Sequence, residues 1–137
     1  MTQEDKELFL KDLSARLPYK VKVCLYEKET CILLGIDGYE VYLDVDSDSF
    51  RIESIKPYLR PLSSMTDEER EEWTDLFLIS VVTELEQYSD DEAEDIAPKL
   101  YANSHVKSLN WLNKHHFDYN GLIEKGLALE APKGMYN

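Results

Sequence analysis

The chain has 137 residues, the length of one ordinary domain, and its 43% of apolar residues is typical of globular rather than disordered proteins. A formal net charge of −13 argues against direct nucleic-acid binding and against attraction to an anionic membrane surface. No apolar run approaches the ~20 residues that a membrane-spanning helix needs, so we predict a soluble protein with no membrane partner.

The N-terminal segment is predicted to be a helix. Residues 3–17 place leucines at helical spacing, Thr2 can cap the helix, and Pro18 cannot continue its hydrogen-bond ladder. The segment lacks the apolar core of a secretory signal, which predicts a cytoplasmic protein. In that compartment Cys24 and Cys31 should stay reduced, and we interpret them as small residues on strands.

Four strand candidates follow the first helix. The clearest of them alternates apolar and polar residues, and it comes directly after Asp37 and Gly38, a strong turn signal. Short links between consecutive strands predict an antiparallel meander, which could also curl into a small barrel. The candidates are residues 21–26, 31–36, 39–45 and 50–55.

The middle of the chain is predicted to leave the sheet and enter a long helix. Residues 55–61 contain two prolines, which predicts an extended connector. Thr66 and Glu69 have the spacing of a capping box, so a helix should run from there to about Tyr88. We expect its inward face to be largely buried, and that face consists of Trp73, Phe77, Val81 and Leu85.

Most of the negative charge lies in one segment. Residues 67–95 hold 13 acidic residues and one basic residue, Arg70, which gives −12 of the total of −13. We interpret the segment as a solvated helix face, with several acids at a helix start where the helix dipole favours them. The alternative is a surface that mimics the phosphate charge of DNA and binds a basic partner, and the sequence leaves both open.

The second half of the chain is predicted to be mainly helical. A short acidic helix should end or kink near Pro98, and a further helix should span residues 104–115. The sequence therefore predicts a single α+β domain over residues 1–137, with a helix and sheet at 1–61 and a mainly helical part at 62–137.

One aspartate-rich segment matches the opening of a calcium-binding loop. Asp44, Asp46 and Asp48 form the D-x-D-x-D pattern of an EF-hand. An EF-hand needs glycine at the sixth position and glutamate at the twelfth, where this chain has Ser49 and Ile55. We interpret the aspartates as turn-forming residues at a solvated hairpin end.

A dense polar and aromatic cluster follows the last predicted long helix. In a structural account, the histidines lie at a favourable helix C-terminus, the aspartate caps the next turn, and the aromatic rings anchor a chain reversal. In a functional account, the same groups bind a partner or ligand. The candidate binding residues are His115, His116, Phe117, Asp118 and Tyr119.

A metal-dependent enzyme is the alternative function. Two histidines and a carboxylate can form a facial triad for iron, and His105, His115, His116 and Asp118 supply those residue types, with the three aspartates of the hairpin as further candidates. No serine or cysteine lies in a nucleophile motif, and the chain has no phosphate-binding loop. We therefore predict no catalytic residue, no metal and no cofactor.

Three stretches of the sequence together resemble a known group of proteins. They are residues 2–6 with 15–19, residues 55–61 with 63–66, and residues 115–119 with 121–123 and 126–132. The combination resembles a family of short uncharacterised proteins from gut bacteria of the Bacteroides group and from their phages and other mobile elements. The resemblance implies a genomic setting, and it implies no activity, ligand or residue role.

These observations favour an acidic, non-enzymatic protein-interaction or accessory protein of phage or mobile-element origin. A protein partner is expected, and a basic one fits the charge best.

Overall fold

The structure, a computed structural model, describes residues 1–45, 48–76 and 80–136. Contacts within the chain form two compact units. We call Met1–Leu62 together with Asn113–Asn137 the sheet unit, and Ser63–Leu112 the helical unit. The combination of helices and a sheet confirms the predicted α+β class.

The sheet unit begins with helix α1, Gln3–Arg16. As predicted, Thr2 caps it, because its hydroxyl accepts a hydrogen bond from a backbone N–H of the first turn. A short 3-10 helix that contains Pro18 follows the last turn. Phe9 and Leu13 are fully buried, so this helix contributes its apolar face to the core.

Four strands then form the predicted antiparallel meander. β2 and β3 are joined by a two-residue turn, and Gly38 adopts a φ of 61° there, a conformation that glycine accepts without steric cost. The strands are β1 (Lys22–Leu25), β2 (Glu29–Asp37), β3 (Glu40–Leu43) and β4 (Ser49–Arg51).

The predicted connector at Ile55–Pro61 is instead a fifth strand, β5, which pairs antiparallel with β1. Buried residues alternate along it, as expected of a strand with one face on the core. The connector prediction was wrong because an extended segment with two prolines can also pair as a strand. The nitrogen of Pro57 faces away from β1, so the missing N–H costs no hydrogen bond with that strand. On the other edge of β5, pairing with the next strand begins only at Tyr58, one residue later.

Two short strands, β6 (Phe117–Asp118) and β7 (Leu129–Glu130), pair in parallel with β5. The backbone of Arg60 bonds to the residue before β6, and the backbone of Leu59 bonds to the residue after β7. Adjacent strand residues direct their backbone groups to opposite edges, so β6 and β7 flank β5 on opposite sides. Hydrogen-bonded pairs connect the strands along the path β4-β3-β2-β1-β5-β6, with β7 also paired to β5, and the sheet is not a closed barrel.

One cluster of buried apolar side chains forms the core of the sheet unit. It joins α1 to the inner face of the sheet and to the C-terminal segment. Its members are Phe9, Leu13, Val21, Val23, Leu25, Cys31, Leu33, Val41, Leu43, Ile52, Ile55, Leu59, Leu122 and Ala128.

The helical unit contains α2 (Asp67–Thr74), α3 (Ser80–Leu85) and nearly all of α4 (Asp90–Lys114). The capping box is confirmed, because Thr66 and Glu69 exchange hydrogen bonds of 3.0 and 3.1 Å. Two described helices, α2 and α3, lie in the segment that was predicted to form one helix as far as Tyr88. No described helix is long and apolar enough to cross a membrane.

The helix does not end near Pro98, the first of the two predicted alternatives, because α4 continues through this residue. Pro98 is exposed, so the carbonyl that its missing N–H would otherwise bond can be hydrated. Good helix formers on both sides also favour continuation, among them Ala97 and Leu100.

The predicted buried face of the long helix is only partly confirmed. Val81 is 2% exposed, whereas Trp73 and Leu85 are half-buried. Phe77 lies outside the described residues. Within the helical unit, the Trp111 indole N–H donates to the carboxylate of Glu72 at 3.1 Å, which connects α4 to α2.

Candidate functional site

The predicted C-terminal cluster lies where α4 ends and the chain returns to the sheet. His116 adopts a φ of 64°, a left-handed conformation that reverses the chain, and its N–H donates to the Asn113 carbonyl. The next two residues form β6 beside β5. His115 and His116 therefore follow the C-terminal end of a helix, as the structural account expected.

Two residues of the cluster have structural contacts. Phe117 is fully buried, with the Arg60 guanidinium 4.1 Å from its ring centroid. Asp118 is 9% exposed, and its two carboxylate oxygens accept the backbone N–H groups of Leu122 and Ile123 at 2.9 and 3.0 Å. Asp118 thus caps the following turn, and the geometry of both residues favours the structural account over ligand binding.

Tyr119 belongs to a buried polar network that the sequence did not reveal. Arg16 and Asp12 form a two-pronged ion pair with N···O distances of 2.6 and 3.1 Å, and both side chains are completely buried. Asn120 donates to the same carboxylate at 2.8 Å. The Arg16 guanidinium also donates to the Phe117 carbonyl at 2.6 Å and lies 5.1 Å from the Tyr119 ring centroid.

The spacing of this pair is a signal that could have located it. Phe9, Asp12, Leu13 and Arg16 follow the i, i+3, i+4, i+7 pattern of one helix face. The charged members therefore share the core-facing side of α1 with the apolar members. A charged pair on an otherwise apolar helix face indicates a buried network.

His116 stacks on Tyr136, with ring centroids 3.6 Å apart and planes 17° from parallel. Burial is the largest cause of a low pKa at His116, and the nearby positive charges, with Arg16 first among them, act in the same direction, so that together they lower the pKa to about 4. His116 is therefore neutral at pH 7.

The Tyr136 hydroxyl lies between β1 and β5 at the point where their pairing stops. It accepts the Lys22 N–H at 3.0 Å and donates to the Tyr58 carbonyl at 2.7 Å. Burial raises the pKa of Tyr136 to about 12, so the phenol stays protonated and can donate. The hydroxyl of a residue far away in sequence thus takes the place of a direct backbone hydrogen bond between β1 and β5.

The structure gives no support to the metal-dependent alternative. Among the described residues, no three His, Cys, Asp or Glu side chains are arranged to hold a metal ion. The carboxylate of Asp118 is used as a cap, and the carboxylate of Asp44 accepts the Ile32 N–H at 2.8 Å. Asp46 lies outside the described residues.

Cys24 and Cys31 are both free and buried. In the β1–β2 register Cys31 is opposite Val23, one residue before Cys24. Side chains alternate across a strand, so the two thiols point to opposite faces of the sheet and are not placed to form a disulfide with each other. Burial and nearby acidic groups raise the pKa of Cys31, which keeps it a thiol.

The acidic segment lies within the helical unit. Thirteen acidic residues face three basic ones, Arg70, Lys99 and Lys107, so this unit carries −10 and leaves −3 for the sheet unit. Twelve of the 13 acids are exposed, and the other is the half-buried Glu69 of the capping box. The solvated face that the sequence predicted is therefore confined to one unit.

No protein-family model matches the sequence, and no curated protein or solved structure shows significant similarity to the chain. The resemblance to the Bacteroides-associated family therefore stays a hypothesis.

Proposed function

We propose that this chain is a small, acidic, non-enzymatic interaction protein whose helical unit binds a basic surface on a protein partner. The observation that supports the proposal is the separation of charge, since 50 residues carry −10 and display 12 of their 13 acids to solvent. The sheet unit carries only −3.

The charge arrangement fits recognition by long-range attraction. A surface of one sign accelerates encounter with a surface of the opposite sign and repels partners of its own sign. Because exposed charges are screened, such an interaction weakens as ionic strength rises. The same sign disfavours nucleic acids and anionic membranes as partners.

The proposed setting is the cytoplasm, where the protein serves as an accessory factor of a phage or mobile element. This proposed setting is supported by the sequence resemblance. A structural role for the C-terminal cluster is compatible with this function, because the proposed binding surface belongs to the other unit.

The experiment compares two variants of equal net charge. One neutralises three exposed acids of the helical unit (Glu71→Gln, Glu84→Gln, Glu94→Gln), and the other neutralises three exposed acids of the sheet unit (Glu7→Gln, Glu40→Gln, Glu124→Gln). Partners are purified from the native host with the unaltered chain, and affinity is then measured by calorimetry at low and high salt.

We expect the helical-unit variant to bind about tenfold more weakly at low salt, since each exposed ion pair contributes roughly 0.5 kcal/mol. The sheet-unit variant should bind as the unaltered chain does. Equal losses in both variants would indicate a response to net charge alone, and no loss in either would remove the helical unit as the binding surface.

A further inference from the structure

A cavity of 510 Å³ opens on the face of the sheet opposite the core. Small-molecule sites commonly have volumes of about 300–1,000 Å³, so this cavity is large enough for a ligand. Its lining comes entirely from the sheet unit and includes Cys24, Tyr26, Glu27, Lys56, Tyr58 and Leu129.

The floor of the cavity is fixed by strand pairing. Cys24 on β1 lies directly opposite Lys56 on β5, and Tyr58 is two residues further along the same face. The neighbouring Cys24 thiol and burial both raise the pKa of the Tyr58 phenol. Strand pairing therefore places a thiol, an ammonium group and a protonated phenol on one face of the sheet.

Two opposite charges at the cavity have no partner in the described chain. Lys56 is a half-buried residue whose ammonium group makes no hydrogen bond or ion pair there, and the carboxylate of the exposed Glu27 makes none either. Glu53, the other acid of the lining, is already balanced by Lys6 and Arg51 at 3.3 and 3.6 Å. The cavity thus offers one cation and one anion to a ligand.

The turn that forms one wall is conformationally strained. Tyr26 and Glu27 have φ values of 52° and 61°, whereas a turn with two consecutive positive φ angles normally contains Asn and Gly. Strained backbone positions of this kind cluster at ligand-binding and other functional sites. Here those side chains are an aromatic ring that is 59% exposed and the unpaired carboxylate.

We propose that this cavity binds a free α-amino acid with an apolar side chain. Lys56 pairs with the carboxylate of the ligand, and Glu27 pairs with its ammonium group. Tyr26 and Leu129 contact the apolar side chain. An uncharged ligand would leave both protein charges unpaired, and a simple anion would leave Glu27 unpaired.

The test titrates the isotope-labelled protein with L-phenylalanine and follows amide chemical shifts by NMR. Saturable shifts at Cys24, Lys56 and Tyr58 are expected with half-saturation near ~1 mM or below, a realistic affinity for so small a ligand. N-acetyl-L-phenylalanine lacks the ammonium group, L-phenylalaninamide lacks the carboxylate, and each should bind at least tenfold more weakly.

Variants separate binding from folding. Lys56→Gln and Glu27→Gln should each weaken binding at least tenfold, whereas Lys28→Gln, in the same turn but outside the lining, should leave it unchanged. The double change Tyr26→Asn with Glu27→Gly should raise Tm by a few degrees, because it relieves the strained turn, and should abolish binding.

Three results would overturn the proposal. One is the absence of saturable shifts with L-phenylalanine, and another is equal binding of the amide or the N-acetyl compound. The third is equal affinity of the Lys56→Gln and Lys28→Gln proteins when both are folded by circular dichroism.

Discussion

Replacement of Asp12 by Asn should lower the free energy of unfolding of the sheet unit by more than a comparable change at the surface. The substitution preserves side-chain volume and removes only the charge that balances Arg16. Arg16 is completely buried, so its guanidinium would be left without a counterion. Loss of one partner from a buried ion pair typically costs about 3–5 kcal/mol, because the remaining charge stays desolvated.

The Asp12→Asn experiment is urea unfolding at pH 7. Both tryptophans, Trp73 and Trp111, belong to the helical unit, so tryptophan fluorescence follows that unit, whereas amide hydrogen exchange in the strands follows the sheet unit. The matched control is Lys125→Gln, which removes an exposed pair with Asp5 at 4.0 Å and should cost less than about 1 kcal/mol.

A double variant tests the reasoning behind that magnitude. With Asp12→Leu and Arg16→Met together, no buried charge is left, although the Phe117 carbonyl loses a donor. We expect this protein to be more stable than Asp12→Asn alone by about 1–2 kcal/mol. Surface changes ordinarily cost less than about 1 kcal/mol. A cost in that range for Asp12→Asn would refute the desolvation of Arg16 that its burial implies.

Three further changes probe the C-terminal contacts and α4. The pKa of His116 is about 4 in the folded protein and near 6.5 in the unfolded chain, so the unfolded chain binds a proton first as the pH falls. The free energy of unfolding should therefore fall by up to about 3 kcal/mol from pH 6.5 to pH 4. His116→Asn, which keeps the left-handed conformation, should flatten that part of the curve in urea titrations, and an unchanged slope would contradict the assignment. Tyr136→Phe should cost about 1–3 kcal/mol in thermal unfolding, since it leaves backbone groups of Lys22 and Tyr58 unpaired, and an unchanged Tm would show that they are hydrated. Pro98→Ala should slow amide exchange in α4 and stabilise it by about 1–3 kcal/mol, and faster exchange would mean that the proline is required there.

Local patterns were sufficient to predict α1, the four-stranded meander and the capping box at Thr66. The turn at Gly38 and the alternation after it depend on neighbouring residues only, and so do the caps at Thr2 and Thr66. Such features can be predicted because the groups that form them are within a few residues of one another.

The errors lie where distant segments decide the structure. Whether Pro57 can occupy a strand depends on which edge of β5 its nitrogen faces, and that edge is defined by strands at both ends of the chain. The two strands β6 and β7 have two residues each, too few to show any periodicity. α4 continues past Pro98 at an exposed position, and a sequence does not specify which positions of a helix are exposed.

The candidate site shows the same division. The cap at Asp118 was foreseen because it is local, whereas the contact of Tyr136 with Lys22 joins residues 114 positions apart. Arg16 was overlooked because a charged residue is usually assumed to face solvent. Its position on the same helix face as Phe9 and Leu13 indicates instead that it faces the core.

The distribution of burial and charge assigns different physical roles to the two units. The described core cluster lies wholly in the sheet unit, whereas the helical unit carries −10 in 50 residues. Like charges held close together destabilise a compact state. No apolar core cluster is described in the helical unit that would offset this repulsion. A basic partner would remove this repulsion when it binds, so the helical unit would gain stability in the complex. The surface that weakens the isolated helical unit is therefore the surface that we expect to favour a basic partner.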